Sequence, residues 1–244
     1  MTSDSGLGRF VGRPTGRSPG RAADVSEDAG RPREPGRPWE AGRPWEAGQP
    51  AERCGLCAKP IGPVHGHVAD LDQSTLECAC RPCYLLFSYD RVSGRYRAVP
   101  DRYLADPAHP MSVAEWDELE IPVGMAFFLR GSRREQVSGF YPSPAGATEC
   151  VLELQAWRRL ARAHPLLAAA EPDVEAILIC RAGEGIEHYL VPVDACYELV
   201  GRMRLHWRGF DGGTEARASI DAFLADVRER AVALTDLPGD LSDG

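Results

Sequence analysis

The sequence predicts an α+β fold in which a small N-terminal module with four clustered cysteines packs on a mixed, mainly antiparallel sheet with three or four helices. Two observations predict the sheet. Residues 121–129 form a continuous apolar run, and the apolar residues 174–180 are followed by a Gly-containing turn and a matching run over residues 187–193. A third observation predicts helices, because apolar residues recur at helical spacing after Asp194 and again after Thr214.

The composition is that of a soluble globular protein. Hydrophobic residues make up 43% of the 244 residues and charged residues 26%. The formal net charge is -8, so nucleic acids and anionic membrane surfaces are not expected partners. No apolar run reaches the roughly 20 residues of a membrane-spanning helix, and the N-terminus lacks the apolar core of a secretory signal. We therefore expect a cytoplasmic protein with reduced thiols.

Four segments are predicted along the chain. Residues 1–52 are rich in Gly, Pro, Arg and Glu and repeat the hexad GRPWEA, so we expect a disordered tail. Residues 53–87 contain the clustered cysteines and form the predicted metal-binding module. Residues 88–233 form the predicted α+β domain, and residues 234–244 form an acidic, flexible C-terminus.

The cysteine-rich module is expected to contain a β-hairpin. The segments HGHVADL and STLECAC have the alternation of two short strands, with a turn near Asp72. The apolar run that follows is predicted as a strand over residues 84–90, which pairs with residues 95–99 across a turn at Gly94.

The remaining elements follow in chain order. Ser112 and Glu115 form a capping-box pattern before a short helix. The segment VSGFYPSPAG predicts a strand that ends in a Pro-Gly loop, and a helix is expected over residues 152–163. Asp194 is the expected N-cap of the next helix, and a final helix is expected over residues 214–233.

Two Cys-x-x-Cys pairs indicate a metal site in the module. They are Cys54/Cys57 and Cys80/Cys83. Each pair brings two thiolates together at a tight turn, and two such pairs complete the tetrahedral shell of a zinc ion, so we expect residues 53–87 to be a zinc-ribbon-like module. We expect Zn2+, with iron or an iron–sulfur cluster as the alternative, because these use the same thiolate ligands.

The module contains more candidate ligands than one zinc ion needs. Cys78 lies two residues before Cys80, so on a strand both thiols face the same side, and Cys78 could replace Cys80 or bind a second metal. His65 and His67 are also two residues apart and could bind a metal or support a ligand. They could equally be neutral, partly exposed side chains. These spare ligands leave a transient metal or cluster transfer site open as an interpretation.

A second candidate site lies at the expected end of the helix after Asp194. There the segment RLHWRGFDGG places polar groups around two aromatic rings, and the candidate residues for binding a partner are Arg204, His206, Trp207, Arg208 and Asp211. Such a cluster could bind an anionic partner surface or ligand. Alternatively, Arg and His at a helix C-terminus complement the helix dipole and need no partner.

Recognisable catalytic patterns are scarce. The sequence has no H-E-x-x-H metalloprotease helix and no Walker or G-x-G-x-x-G phosphate loop. We therefore expect a protein that is not an enzyme. If the larger domain does contain an active-site cleft, the candidate residues are His188, His206 and Asp211.

Several segments together resemble a family of uncharacterised actinobacterial proteins, the domain of unknown function numbered 5947. The likeness spans about residues 52–230, and the segments are CGLC, HGH, CACRPCYLLF, IPVGMAFF, FYPSPAGATE, PDVEAILI and YLVPVDACYELVGRMRLHWRGFDGG. The resemblance implies genes beside those of oxygen-tolerant nickel–iron uptake hydrogenases. It thus implies an accessory role in hydrogenase assembly or maturation, through contacts with hydrogenase subunits or maturation factors. Alternatively, it implies delivery of a metal or iron–sulfur cluster to that enzyme.

Overall fold

The computed structural model describes residues 52–88, 94–133, 136–143, 146–150, 152–209 and 212–236. The predicted N-terminal tail, except for Glu52, and most of the predicted C-terminal segment lie outside the described residues. The described part of the chain confirms the α+β class, with a three-stranded sheet, a seven-stranded sheet and six α-helices rather than three or four.

The predicted hairpin of the cysteine-rich module is confirmed. The smaller sheet has the order β2-β1-β3 and contains β1 (Gly66–Asp70), β2 (Thr75–Ala79) and β3 (Tyr96–Ala98). All pairs are antiparallel. The buried Asp70 carboxylate accepts hydrogen bonds from the backbone N–H groups of Asp72 and Gln73, at 3.0 and 3.2 Å, and so stabilises the predicted turn.

The strand predicted for residues 84–90 is wrong, because α1 (Arg81–Ser88) occupies most of this segment. A run of four apolar residues fits a strand or one helical turn equally well, and Pro82 in the first turn favours the helix. Tyr84 and Phe87, three residues apart, face the sheet. The Tyr84 hydroxyl donates to the carbonyl oxygen of Val99 (2.9 Å), and Phe87 contacts the Tyr96 ring with centroids 5.4 Å apart.

The larger sheet has the order β10-β4-β9-β8-β5-β6-β7, and only its β10–β4 pair is parallel. Its strands are β4 (Leu104–Ala105), β5 (Met125–Gly131), β6 (Gln136–Ser143), β7 (Gly146–Cys150), β8 (Glu175–Ala182), β9 (Gly185–Pro192) and β10 (Val232–Ala233). The β8–β9 hairpin is confirmed. The apolar strand predicted from Ile121 begins instead at Met125, and β7 lies where the sequence suggested a loop leading into a helix.

Five further helices cover the larger sheet. They are α2 (Val113–Asp117), α3 (Leu154–Ala163), α4 (Pro165–Ala169), α5 (Val193–His206) and α6 (Gly213–Arg230). The capping box of Ser112 and Glu115 is confirmed. Asp194 is not the N-cap of α5, because the helix begins at Val193 after Pro192, and the Asp194 carboxylate bonds to His67 instead. No helix among these described residues combines the length and apolarity needed to cross a membrane.

The larger sheet is buried on both faces. Phe127 and Leu178 face α5 and α6, whereas Phe128 and Ile177 face α2, α3 and α4. This alternation explains why the central strands appear in the sequence as continuous apolar runs. Each such fully buried side chain contributes about 1.5–3 kcal/mol to folding.

The smaller sheet packs directly on the larger one. Ala69 of β1 and Val99, which follows β3, form one buried cluster with Val174 and Val193. The Arg97 guanidinium donates to the carbonyl oxygen of Pro172 (2.9 Å). The predicted packing of the cysteine-rich module on the sheet is therefore confirmed, while the division into separate domains stays a prediction.

Candidate metal centre

Four thiols converge at one end of the smaller sheet. Cys54 and Cys57 lie on one tight turn, Cys80 follows β2 directly, and Cys83 lies in the first turn of α1. Their Sγ atoms all lie within 4.8 Å of one another, and those of Cys57 and Cys80 are 3.7 Å apart. We call these four residues the tetrathiolate centre.

The turn that carries the first pair is tied to β2. The Gly55 N–H donates to the carbonyl oxygen of Cys78 (2.8 Å), and the Ala58 N–H donates to the carbonyl oxygen of Cys54 (2.8 Å). Ala58 has a φ of 59°, the left-handed conformation that closes the turn. The centre has a buried side formed by Cys54 and Cys80 and a solvent side at the exposed Cys57.

The thiols of the centre differ in acidity. Burial opposes ionisation of Cys54, but backbone N–H groups of Cys80, Cys57 and Leu56 point at its sulfur and lower the pKa of the thiol to about 6. Hydrogen bonding to Cys80, together with burial, raises the pKa of Cys83 to about 12. The Cys54 thiol therefore ionises readily, whereas ionisation of the Cys83 thiol requires a compensating cation.

This donor set fits a metal ion. Four thiolates around one point match the tetrahedral ligand shell of Zn2+ and equally that of iron in iron–sulfur proteins. The predicted ligands Cys54, Cys57, Cys80 and Cys83 are therefore brought together and could hold a metal ion.

The alternative ligands lie in a separate group. His65, His67 and Cys78 also have ligand atoms within 4.8 Å of one another, and the two imidazole centroids are 5.0 Å apart. The seven candidate ligands thus form two separate clusters and not one ligand shell with spare members. We call the second cluster the His–Cys triad.

Asp194 belongs to this region, although its sequence pattern suggested a helix cap. Its Oδ2 atom lies 2.7 Å from the Nδ1 atom of His67. The two residues are 127 positions apart in the chain. No local pattern could have connected them, and only the packing of the smaller sheet against the start of α5 brings them together.

The predicted partner-binding residues form the C-terminal end of α5. Arg204 is exposed, and His206 and Trp207 are half-buried. The Trp207 indole N–H donates to the carbonyl oxygen of Gly209 (2.9 Å), and Arg208 donates to the carbonyl oxygen of Trp207 (3.0 Å). Asp211 lies outside the described residues. Binding of a partner at this helix end stays a prediction.

The two described candidates for an active site, His188 and His206, are not gathered in one cleft. His188 pairs with Ile179 across the β8–β9 ladder and contacts the ring of His164 at 5.4 Å, on the face covered by α3 and α4. His206 lies at the end of α5, which covers the opposite face. Asp211, the third candidate, is not among the described residues.

His188 is expected to make stability dependent on pH. Burial, followed by the charge of His164, lowers the pKa of His188 from 6.5 to about 4. Between these two values the unfolded chain binds a proton that the folded chain does not bind. The free energy of unfolding should therefore fall by about 3 kcal/mol as the pH drops from 6.5 to 4.

Urea unfolding of the wild-type protein and of His188→Gln at pH 7, 5.5 and 4 measures this effect. The decrease should be about 3 kcal/mol smaller in the His188→Gln variant than in the wild type, whereas the half-exposed control His206→Gln should keep the full decrease. An equal decrease in the wild type and in His188→Gln would show that other groups cause the pH dependence.

Comparison with known proteins identifies a family that covers most of the chain. Residues 53–231 match a family described only as a family of unknown function (DUF5947). No curated protein and no solved structure matches the chain.

Proposed function

Since this chain belongs to DUF5947, a family of unknown function, we propose its function from its own metal centre. The protein is a non-enzymatic accessory protein in which Cys54, Cys57, Cys80 and Cys83 hold one structural Zn2+. The observation that carries the proposal is the convergence of four Sγ atoms within 4.8 Å of one another. Such a closed set of four protein ligands is typical of structural rather than catalytic zinc.

The position of the centre supports its role as a brace. The module has a small core of its own, in which Cys54, Ile61 and Cys80 are the buried hydrophobic residues of one cluster. Metal ligation at Cys80 and Cys83 would hold the start of α1, and Tyr84 of α1 bonds to Val99. Val99 in turn packs against the larger sheet, so the ion would stabilise the surface shared by both parts.

The accessory role acts through contacts with a protein partner. The exposed cations Arg204 and Arg208 at the end of α5 are the proposed contact surface, and they suit an acidic patch on the partner. In the finer proposal, the protein is an actinobacterial cytoplasmic factor, and the partner is a subunit or maturation factor of a nickel–iron hydrogenase. The support for this partner is the gene neighbourhood that the family resemblance implies.

Replacement of the chromosomal gene tests the hydrogenase proposal. A strain carrying Cys80→Ser should show reduced hydrogenase activity and incomplete processing of the hydrogenase subunits, as should a deletion strain. Cys150→Ser, which changes a partly buried cysteine outside the centre, should behave as the wild type. Normal hydrogenase activity and subunit processing in the deletion strain would refute the hydrogenase role.

A carrier of metal or of an iron–sulfur cluster is the second candidate function. The observation that favours it is the exposure of Cys57, since an incoming ligand can reach a thiolate at the protein surface. Purification in air and under nitrogen, followed by metal analysis and a visible spectrum, separates the two functions. One retained zinc ion and no visible absorption would support the accessory protein with a structural zinc site. Iron, sulfide and visible absorption after anaerobic purification support the carrier.

A further inference from the structure

The His–Cys triad is built on one face of the β1–β2 hairpin. His67 on β1 and Cys78 on β2 are directly paired across the ladder, so their side chains share a face. His65 lies two residues before His67, and its ring contacts the His67 ring edge-on. The cross-strand pairing thus brings the three ligand atoms within 4.8 Å of one another.

Both imidazoles are held with Nε2 facing away from their hydrogen-bond acceptors. The Nδ1 atom of His67 lies 2.7 Å from the Asp194 carboxylate, and that of His65 lies 2.9 Å from the carbonyl oxygen of Gly62. A carbonyl or carboxylate oxygen can only accept, so each Nδ1 atom donates its proton. In the neutral ring Nε2 then carries the lone pair, which is the arrangement of a metal-binding histidine with a supporting acceptor.

The Nε2 atom of His65 is also an unexplained buried acceptor. It is inaccessible to solvent and has no hydrogen-bond partner among the described residues. Leaving a buried polar atom unpaired destabilises the folded state. A metal ion bound to Nε2 accounts for this atom, whereas the interpretation of His65 as a neutral surface side chain does not.

We propose that His65, His67 and Cys78 form a second metal site, separate from the tetrathiolate centre. It binds a late first-row divalent ion through two Nε2 atoms and one thiolate sulfur. Imidazole and thiolate together suit Zn2+, Co2+, Ni2+ and copper rather than Mg2+ or Ca2+. Three protein ligands leave a fourth position for water or an exchanging ligand, unlike the closed set of four cysteines. Glu52, which accepts a hydrogen bond from the Cys78 thiol at 3.4 Å, is released when Cys78 binds as thiolate.

The two sites are adjacent in the chain, because Cys78 lies on β2 and Cys80 follows this strand directly, but they differ in purpose. In the tetrathiolate centre all four positions are filled by the protein, so its ion is held for stability. The His–Cys triad has an open position, so its ion can exchange. This inference goes beyond the proposed accessory function and does not require it.

Metal titration of the reduced full-length protein under nitrogen tests the second site. With Co2+ as the probe, the wild type should bind two ions per chain, and His65→Ala and Cys78→Ser should each bind one. The controls His206→Ala and Cys150→Ser should bind two. A wild type that binds one ion, which His65→Ala and Cys78→Ser both retain, would overturn the second site but leave the tetrathiolate centre intact. One ion that survives in Cys80→Ser but is lost in His65→Ala would overturn the tetrathiolate centre instead.

Histidine ring NMR of the wild-type protein avoids dependence on the folding of a variant. Addition of Zn2+ to protein already carrying its first ion should shift the Nε2 resonances of two histidines, while their Nδ1 atoms stay protonated. Unchanged resonances for all histidines would overturn the second site.

Asp194 is a positioning residue for this site, because it acts through His67. Asp194→Asn should weaken the binding of the second Co2+ ion about 10–100-fold and leave the first ion unaffected. Glu198→Gln, an exposed carboxylate on the same helix, is the matched control and should change neither affinity. Equal second-site affinity in Asp194→Asn and the wild type would show that His67 needs no such support.

Discussion

The Cys80→Ser variant is expected to lose the tightly bound metal ion and the ordered structure of the cysteine-rich module, while the larger sheet stays folded. Structural zinc contributes about 10–16 kcal/mol of apparent binding energy at pH 7 in small zinc modules. The buried core around the tetrathiolate centre is too small to replace it, because Cys54, Ile61 and Cys80 are its buried members. Removing one thiolate also leaves the ion with three protein ligands instead of the closed set of four.

Hydrogen exchange measured by mass spectrometry reports this loss locally. Peptides from residues 52–88 should exchange at least ~100-fold faster in Cys80→Ser, which corresponds to about 3 kcal/mol of lost protection. Peptides from β8 and β9 should keep the wild-type rate. Cys150→Ser should leave residues 52–88 protected. Full protection of the module in a metal-free Cys80→Ser protein would show that the ion does not stabilise the module.

The Arg102→Ala variant is expected to lose about 3–5 kcal/mol of stability, because it leaves a buried carboxylate unpaired. Glu175 has no solvent-exposed surface, and the Arg102 guanidinium donates to its two oxygens at 2.5 and 2.8 Å. The hydrogen bonds to Glu175 raise the pKa of Arg102 above its usual value, so the guanidinium stays charged at all ordinary pH values. The Glu171 N–H is then the remaining donor to Glu175 among the described contacts.

Urea unfolding compares this pair with an exposed one. Arg159 bonds to Glu118 at 2.9 Å, but both side chains are at least half exposed, so Arg159→Ala should cost less than about 1 kcal/mol. Adding Glu175→Gln to Arg102→Ala should recover part of the loss, because it removes the buried charge. An equal, small cost for Arg102→Ala and Arg159→Ala would mean that water solvates Glu175 in the folded protein.

Long periodic segments made much of the fold predictable. The β8–β9 hairpin and α6 were expected from alternation and helical spacing, and Ser112 with Glu115 located the start of α2. Short segments were not predictable in the same way. The four apolar residues of α1 fit the periodicity of a strand as well as that of a helix. The strand β7, with the sequence GATEC, has too few apolar residues to be distinguished from a loop. The two-residue strands β4 and β10 exist only because each of them pairs with a strand that is distant in the sequence.

The candidate site was predictable where its ligands are close in sequence. Cys-x-x-Cys spacing identified the tetrathiolate centre, since each pair is formed by one local turn. The His–Cys triad required knowledge of strand register, because a shift of one residue would move Cys78 to the other face. Its supporting carboxylate, Asp194, depends on tertiary packing and has no sequence signal near His67.

X-ray absorption at the edge of the bound metal tests the central claim most directly. The protein is purified under nitrogen as His65→Ala, so that the tetrathiolate centre alone is loaded. We expect one zinc ion surrounded by four sulfur atoms at about 2.3 Å. A metal-free protein, or a shell in which nitrogen or oxygen replaces sulfur, would contradict the assignment of Cys54, Cys57, Cys80 and Cys83 as its ligands.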